Sequence, residues 1–165
     1  MKSRAQVLGH SVHQMLIVFP LGLQATSVVI DVVGLISPGD AWPLVSYWTM
    51  AAGILGALIA APFGFIDWLS IPTGTRARRI GRFHGLGNLL VSALFIASWA
   101  IRSPDQRPDS LAMGLSFGGA ALALLTGWLG GELVSRLGVG VDDDANLNAS
   151  NSIAAKHGEH ARSAT

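Results

Sequence analysis

Four long apolar stretches, separated by short polar connections, organise the sequence. They cover residues 15–36, 47–69, 83–101 and 111–134. None of them contains Lys or Arg, and the acidic residues inside them lie near their ends. Because a helix that crosses a bilayer needs about 20 apolar residues, each stretch is long enough to span one. Short connections make neighbouring spans antiparallel, so the pattern predicts an all-α fold, a transmembrane up-down four-helix bundle.

The basic residues are distributed unevenly about the four predicted spans. All of them except Arg102 and Arg107 fall on one side, which carries both termini and the connection 70–82. Cytoplasmic loops of membrane proteins carry an excess of Lys and Arg, so we expect both termini in the cytoplasm. The tryptophans fall at both ends of the spans, as in the aromatic belts of membrane interfaces.

The C-terminal residues 142–165 depart from this pattern because they are polar and rich in Ala, Asn and Ser. A segment of this composition buries too little apolar surface to fold. We therefore predict a four-helix transmembrane domain over residues 1–141 and a disordered polar cytoplasmic tail over residues 142–165. His157 and His160 are expected to be solvated residues of this tail, although their spacing also permits a metal role.

Composition supports a membrane protein and narrows its chemistry. Hydrophobic residues make up 50% of the chain and charged residues 13%, whereas soluble domains average about 25% charged residues. The formal net charge of +1 is too small to suggest a nucleic-acid partner. The absence of cysteine excludes disulfides, thiolate catalysis and iron–sulfur ligation. No catalytic triad or phosphate-binding loop is recognisable, so the sequence assigns no enzymatic activity.

Helical periodicity, at about 100° per residue, predicts an inward face for each span. The first three faces are made of His13, Pro20, Gln24, Ser27 and Asp31, of Gly53, Ala57, Ala60, Gly64 and Asp67, and of His84, Asn88, Val91 and Phe95. In the fourth span, the pairs Gly114 with Gly118 and Gly127 with Gly131 predict close helix packing. Asp31, near the outer end of its span, is expected to be an interfacial residue.

One ionisable residue per span lies near the cytoplasmic end of that span. These residues are His13, Asp67, His84 and Glu132. Ionisable groups at membrane depth are expensive and tend to be functional or paired. We therefore expect the four side chains to converge, with His10 and Asn88 close by and with Trp68 and Trp128 as supporting residues. Two interpretations stay open, namely structural pairing and a site for a ligand, a metal or a proton.

Short motifs surround these ionisable residues. They are His10-Ser-Val-His13-Gln-Met-Leu-Ile-Val-Phe19-Pro20-Leu-Gly22, Phe63-Gly-Phe-Ile-Asp67-Trp68-Leu, His84-Gly-Leu-Gly-Asn88 and Gly127-Trp-Leu-Gly-Gly131-Glu132-Leu-Val134. In this order they resemble the motifs of a bacterial membrane family catalogued as domain of unknown function 2231 (DUF2231), over about residues 9–141. Ser11 and Gln14 stand where members of that family often have proline, and Ser135 stands where relatives often have Tyr.

The resemblance implies a protein of the bacterial inner membrane with four transmembrane helices. It singles out as motif positions His10, His13, Asp67, His84, Asn88 and Glu132. Some relatives look fused to a Rieske-type iron–sulfur domain, which hints at electron transfer and at a redox partner or membrane complex. These 165 residues contain no cysteine that could ligate such a cluster.

The first functional hypothesis is a redox or metal-binding module. His13 and His84 lie on diagonal helices of the predicted bundle, where two imidazoles can ligate a b-type haem axially. Together with His10 and the two carboxylates, they can instead bind a divalent transition metal. The small-residue faces leave little room for a porphyrin, and the missing Glu-x-x-His motif argues against a di-iron carboxylate site.

Two other hypotheses stay open. A polar stripe from His13 through Gln24 to Asp31 can line a pathway for protons or solutes, which would require an oligomer of so small a bundle. The protein can also be a structural or accessory subunit of a membrane complex, which its glycine pairs and its lack of a nucleophile favour. The sequence leaves the ligand, the partner and the oligomeric state open.

Overall fold

Four long apolar helices follow one another along the chain. The computed structural model describes residues 1–37 and 39–153. Within them the first crossing, Val12–Ile36, consists of α1 (Val12–Leu16) and α2 (Val18–Ile36). The other crossings are α3 (Ala41–Ser70), α4 (Arg76–Ala100) and α5 (Ser110–Ser135). All four crossings are long and apolar enough to span a membrane, which confirms the predicted transmembrane four-helix bundle.

The helices extend beyond the apolar stretches that predicted them. α4 begins at Arg76 because Thr75 caps it, its Oγ1 accepting a hydrogen bond of 3.1 Å from the Arg78 N–H. Asp109 caps α5 in the same way, with 2.7 Å between its Oδ1 and the Ala112 nitrogen. Such caps satisfy backbone donors that the first turn of a helix leaves free. The polar first turn of α4 therefore lies outside the apolar stretch, and hydropathy alone misses it.

Two prolines affect their helices differently. Pro20 has no N–H to donate to the Leu16 carbonyl, and the first crossing is interrupted at Ile17, between α1 and α2. Pro62 lies inside α3, which continues through it. The interruption at Ile17 separates the turn that carries His13 from the rest of its crossing.

α1, α2 and α3 form the first hairpin, in which small residues of α3 contact the preceding helices. A Cβ atom on Gly53 would lie 2.9 Å from Gln24 Cγ, and one on Gly56 would lie 3.2 Å from Pro20 Cδ. Glycine therefore allows the close approach of α2 and α3, as the predicted small-residue face requires. The buried residues of α2 confirm the inward stripe predicted for the first span, and they are Pro20, Gln24, Ser27, Asp31 and Gly34.

α4 and α5 form the second hairpin, and its contacts correct one prediction. The expected packing through two glycine pairs is wrong, because Cβ atoms added there would meet nothing within 4 Å in the described part of the chain. These glycines are Gly114, Gly118, Gly127 and Gly131. α5 instead turns Gly119 toward α4, where an added Cβ would lie 3.0 Å from the Phe95 ring. One residue corresponds to about 100° of rotation, which is enough to move both pairs out of the contact.

The two hairpins meet through a small apolar core. Met50 and Ile54 of the first hairpin cluster with Val91 and Phe95 of the second, and all four are buried. α2 packs chiefly on α3 and α4 chiefly on α5, so contact within each hairpin exceeds contact between them. The bundle is therefore two tightly packed helix pairs joined along a less extensive seam.

The residues before the first crossing form a short antiparallel strand pair, β1 (Gln6–Val7) and β2 (His10–Ser11). The connecting Leu8 and Gly9 both have positive φ, 52° and 85°, as a two-residue hairpin turn requires. The Val12 N–H donates to the Ala5 carbonyl at 2.9 Å and links this N-terminal segment to α1. Hydropathy did not predict this local structure.

The segment after α5 contacts the N-terminus. The Gly140 N–H donates to the Met1 carbonyl at 2.9 Å, and Lys2 Nζ lies 3.0 Å from Asp142 Oδ1. The hydrogen bond to Asp142 and its negative charge raise the pKa of Lys2 above the usual value. The predicted boundary at residue 142 and the disorder of the tail stay predictions. His157 and His160 lie outside the described residues.

Candidate functional site

His13 of α1 and His84 of α4 face each other across the seam between the hairpins. Their ring centres are 6.5 Å apart, and the ring planes are nearly perpendicular at 88°. Both side chains are partly buried. Of the four ionisable residues that were predicted to converge, these are the two that the structure brings together.

Backbone carbonyls orient both imidazole rings. His13 Nδ1 lies 3.1 Å from the Ala60 oxygen of α3, and His84 Nδ1 lies 2.9 Å from the Thr126 oxygen of α5. Because a carbonyl oxygen can only accept, each Nδ1 carries a proton and donates it. In a neutral imidazole the lone pair then lies on Nε2. Both rings therefore present Nε2 as the atom that can bind a metal or accept a proton.

Each ring also packs against the glycine one turn beyond its carbonyl partner. A Cβ atom on Gly64 would lie 2.7 Å from His13 Cε1, and one on Gly130 would lie 3.0 Å from His84 Cε1. Close-packed interiors do not accommodate such overlaps without movement. A side chain at either position would therefore displace the ring from its carbonyl.

Asn88 and Thr126 form a hydrogen-bond network beside the His84 ring. Asn88 Nδ2 donates to the His84 carbonyl at 2.8 Å and lies 3.3 Å from His84 Nε2. The Thr126 hydroxyl donates to Asn88 Oδ1 at 3.2 Å. Asn88 thus lies beside the histidine pair, where the sequence predicted it. Thr126 was not predicted, because a single Thr in an apolar stretch forms no pattern of its own.

Asp67 lies at the same end of the bundle but binds the N-terminal segment. Its carboxylate accepts hydrogen bonds from the Ser3 hydroxyl at 2.7 Å and from the Arg4 and Ala5 N–H groups at 2.9 and 3.2 Å. The Ser11 hydroxyl lies 3.4 Å from its second oxygen. Asp67 is 8% exposed, so these donors replace the water that a buried carboxylate loses.

Glu132 forms an ion pair with Arg76, with 2.7 Å between Oε1 and Nη2. The side chain of Arg76 is 56% exposed and that of Glu132 is 17% exposed. Across residues 1–37 and 39–153, no three His, Asp or Glu side chains are grouped so that they could hold a metal ion. The expected gathering of the four ionisable residues into one metal-binding group is therefore wrong, because each carboxylate binds a donor outside the histidine pair.

The other predicted residues make their contacts elsewhere. His10 of β2 is exposed and lines a surface cavity of about 220 Å³. Trp68 Nε1 donates to the Arg78 carbonyl at 3.1 Å, and the Arg78 guanidinium lies 3.8 Å from the centre of the Trp68 ring. Trp128 is 68% exposed. A role for these three residues at the histidine pair stays a prediction.

A second polar cluster, which the sequence did not predict, lies at the opposite end of the bundle. Arg102 binds Asp31 through hydrogen bonds of 2.8 and 2.7 Å, and the two side chains are 3% and 1% exposed. Three serines also accept hydrogen bonds from the guanidinium, and they are Ser46, Ser98 and Ser116. Asp31 is therefore buried inside the bundle, as its place on the inward stripe predicted, and its position at the membrane interface stays a prediction.

Different sequence features bear on the two members of this ion pair. Arg102 follows the last apolar residue of its stretch, so hydropathy assigns it to a connection. Asp31 lies on the inward stripe of the first span, and this periodicity indicated that its side chain points into the bundle. A buried carboxylate on such a stripe requires a positively charged or hydrogen-bonding partner.

Comparison with known proteins assigns this architecture to a family. The family described as a predicted membrane protein, DUF2231, matches residues 9–143, which include the histidine pair and the buried ion pair. The four long apolar helices agree with that description. No curated protein and no solved structure matches the chain. The chain therefore belongs to the DUF2231 family of predicted membrane proteins, as the motifs of its sequence indicated.

Proposed function

We propose that the protein is a redox module of the membrane that binds haem b between His13 and His84. The observation that carries this proposal is the pair of facing imidazoles whose Nδ1 atoms are bound by backbone carbonyls. Haem iron takes histidine as an axial ligand, and the bound haem supplies one-electron chemistry. In both rings Nε2 is the nitrogen that would form this bond, and in His84 the bond would replace the contact with Asn88 Nδ2, 3.3 Å away.

The separation of the rings would allow His13 and His84 to hold one iron atom between them. A metal–imidazole bond is about 2 Å long, so two opposed imidazoles have ring centres roughly 6 Å apart. Imidazoles at a tetrahedral angle would be closer, at about 5 Å. The observed separation of 6.5 Å would let both histidines hold one metal atom between them.

The number of protein ligands favours haem over a bare divalent ion. Zinc usually takes three or four protein ligands, and the described part of the chain offers no such group. Haem needs only axial ligands from the protein, because the porphyrin supplies the nitrogens in its own plane. The two carboxylates that were expected as ligands bind the N-terminal segment and Arg76 instead.

A haem held by His13 and His84 would have to enter the seam between the hairpins. Glycine-mediated close contacts lie within each hairpin at Gly53, Gly56 and Gly119, and one crosses the seam, where a Cβ atom on Gly81 of α4 would lie 2.7 Å from Trp68 Cδ1 of α3. Contact between the hairpins is less extensive. The objection that small-residue faces leave little room for a porphyrin thus applies inside each hairpin. In the seam it applies at Gly81, and a porphyrin would have to lie away from this contact with Trp68.

The same proposal includes a location and an orientation. The protein would lie in the bacterial inner membrane with both termini and its histidine pair on the cytoplasmic side. The uneven distribution of basic residues supports this orientation, because exposed Arg79 and Arg82 lie at the histidine end. A redox partner or membrane complex would then exchange electrons with the haem from that side.

Absorption spectroscopy of the purified protein tests the proposal. Protein from haem-replete cells, isolated in detergent, should contain stoichiometric haem with a reduced-minus-oxidised spectrum. His13→Ala and His84→Ala should each lose it, because each removes one axial ligand. His10→Ala is the matched control, since this exposed histidine contacts the Leu8 carbonyl. If the preparation lacked haem but contained stoichiometric zinc or copper, the ligand of the histidine pair would be a bare metal ion. If it contained neither haem nor metal, the proposed site would be contradicted.

A structural or accessory subunit of a membrane complex is the second candidate. The observation that favours it is the outward face of α5, where four glycines have no atom within 4 Å of an added Cβ in the described residues. Small residues on such a face allow a further helix to approach closely. A preparation without haem or metal that co-purifies with other membrane proteins would favour this function.

A pathway for protons or solutes along the first crossing has less support. Gln24 is buried, and its Nε2 has no partner in the described part of the chain, which suits a water-lined path. The apolar core of Met50, Ile54, Val91 and Phe95, however, lies between the histidine pair and the buried ion pair. A continuous wet path would have to pass this core.

A further inference from the structure

Buried positions of the first crossing recur in α4 at one constant separation along the chain. Asp31 and Arg102 are 71 residues apart, and so are His13 and His84. The same separation relates the buried residues Pro20, Gln24 and Ser27 to the buried residues Val91, Phe95 and Ser98. For each buried residue of α2 from Pro20 to Asp31, the residue 71 positions later therefore also has a buried side chain. We call the two residues of such a pair corresponding residues.

α3 and α5 show the same correspondence at a second constant separation. The buried residues of α5 are Ala112, Ser116, Gly119, Thr126 and Leu133. Their counterparts on α3, which are also buried, are Ser46, Met50, Gly53, Ala60 and Asp67. Most of the paired residues differ in type, so the correspondence is evident in the burial of the helices and not in the amino-acid sequence.

Corresponding residues also make corresponding contacts. Each histidine binds a carbonyl on the second long helix of its hairpin and packs against the glycine one turn later. The carbonyl and the glycine belong to Ala60 and Gly64 for His13, and to Thr126 and Gly130 for His84. In the same way, the corresponding glycines Gly53 and Gly119 contact the corresponding side chains Gln24 and Phe95.

Two pairs of corresponding residues contact each other. They are His13 with His84 and Asp31 with Arg102. In an arrangement with twofold symmetry, a residue that contacts its own equivalent lies at the axis. Because these pairs lie at opposite ends of the bundle, they mark two points on one axis that runs along it.

We infer that the membrane domain is an internal repeat of two equivalent hairpins, related by a pseudo-twofold axis along the membrane normal. Each hairpin crosses twice, so both begin on the same side, as parallel repeats with such an axis do. The ligand of the histidine pair then binds on the axis, with Gly64 and Gly130 as equivalent positioning residues. This second part rests on the proposed haem site, whereas the repeat does not.

The axis accounts for the opposite charges at the corresponding positions 31 and 102. Identical ionisable residues there would bring two like charges into contact inside the bundle, which is costly. Asp31 and Arg102 attract each other instead. The ion pair therefore favours association of the first hairpin with the second over association of either hairpin with a copy of itself.

Charge exchange in the full-length chain tests the repeat without any ligand. Asp31→Arg and Arg102→Asp should each lower the thermal unfolding midpoint in detergent, because each brings two like charges together. The double exchange restores opposite charges at equivalent positions and should recover more than half of the loss. A double variant no more stable than the weaker single variant would overturn the repeat.

Glycine substitutions test the ligand part. Gly64→Ala and Gly130→Ala should each weaken haem binding roughly 10- to 100-fold and alter its absorption spectrum, as changes to groups that orient metal ligands do. Gly131→Ala is the control, since an added Cβ there meets no described atom within 4 Å. Unchanged haem binding in both variants would overturn the positioning role of Gly64 and Gly130 but not the repeat. A wild-type protein without haem would refute the proposed function, and the charge exchange would still decide on the repeat.

Discussion

The two ends of the bundle each carry a polar pair, and the two pairs differ in how fully they are hydrogen-bonded. Arg102 donates through Nε, Nη1 and Nη2 to Asp31 and three serines, and both charged side chains are almost fully buried. The histidine rings are partly buried, and backbone carbonyls bind their Nδ1 atoms. In the part of the chain that the structure describes, His13 Nε2 has no hydrogen-bond partner. The charged groups of Asp31 and Arg102 are hydrogen-bonded within the bundle, whereas the histidine pair retains Nε2 of His13 for a ligand.

This difference shows that a buried charge is not by itself an indication of a binding site. Asp31 and Arg102 are the most deeply buried ion pair of the described chain, and their hydrogen bonds assign them to the structure. A ring that is oriented by its second nitrogen and keeps its other nitrogen free resembles the ligands of metal centres. Mutations at the ion pair should therefore lower the stability of the protein, whereas mutations at the histidine pair should weaken ligand binding.

The largest effect on stability is expected from Arg102→Leu. The substitution leaves the Asp31 carboxylate buried without a counter-charge, and breaking a buried ion pair in this way costs about 3–5 kcal/mol. Thermal unfolding in detergent, followed by circular dichroism, should show a correspondingly lower midpoint. Haem content of the protein that remains folded should be unchanged, because the histidine pair lies at the other end of the bundle.

A double variant separates the loss of the ion pair from the loss of packing. Asp31→Leu combined with Arg102→Leu removes both charges, and apolar replacement of a buried pair is often neutral. Most of the stability should therefore return. If Arg102→Leu alone were as stable as the wild type, the ion pair would contribute nothing and the comparison of the two ends would fail.

Most of the fold could be predicted from the sequence because a bilayer imposes a minimum length on apolar helices. Periodicity also predicted which residues of α2, α3 and α4 point inward. The glycine pairs of α5 were misleading, since a motif for close packing does not specify which neighbour it contacts. Gly119 and Gly130, each next to a predicted glycine, make the contacts with α4.

The site could be predicted only where a helix fixes both face and depth. His13, His84 and Asn88 satisfy this condition, and they lie together. The partners of Asp67 could not be predicted, because they lie in an N-terminal segment without helical periodicity. The partner of a carboxylate depends on tertiary distances, and spacing within one helix contains no information on them.

An intermediate effect is expected from Asp67→Asn at the histidine end. The substitution removes the charged acceptor of Ser3, Arg4 and Ala5, and hydrogen bonds to charged groups contribute about 1.5–3 kcal/mol each. The N-terminal segment should detach, so limited trypsin digestion should cleave after Arg4 faster than in the wild type. Haem content should stay unchanged, because Asp67 binds this segment and not the histidines.

Asp40→Asn is the matched control for this substitution. Asp40 precedes the same helix, α3, and its side chain makes no capping hydrogen bond. Its digestion pattern should therefore equal that of the wild type. Loss of haem from Asp67→Asn with an unchanged digestion pattern would contradict the structural role of Asp67 and make it a ligand candidate again.

The smallest effect is expected from Arg76→Ala, which breaks the ion pair with Glu132 at the histidine end. The Arg76 side chain is 56% exposed, so water and salt screen the pair. Exposed pairs contribute at most about 1 kcal/mol, well below the cost expected for Arg102→Leu in the same unfolding measurement. A loss as large as that of Arg102→Leu would mean that Glu132, at 17% exposure, behaves as a buried charge. Both ends would then contain a structural ion pair, and only the histidine pair, with Nε2 of His13 free of hydrogen bonds within the described residues, would distinguish them.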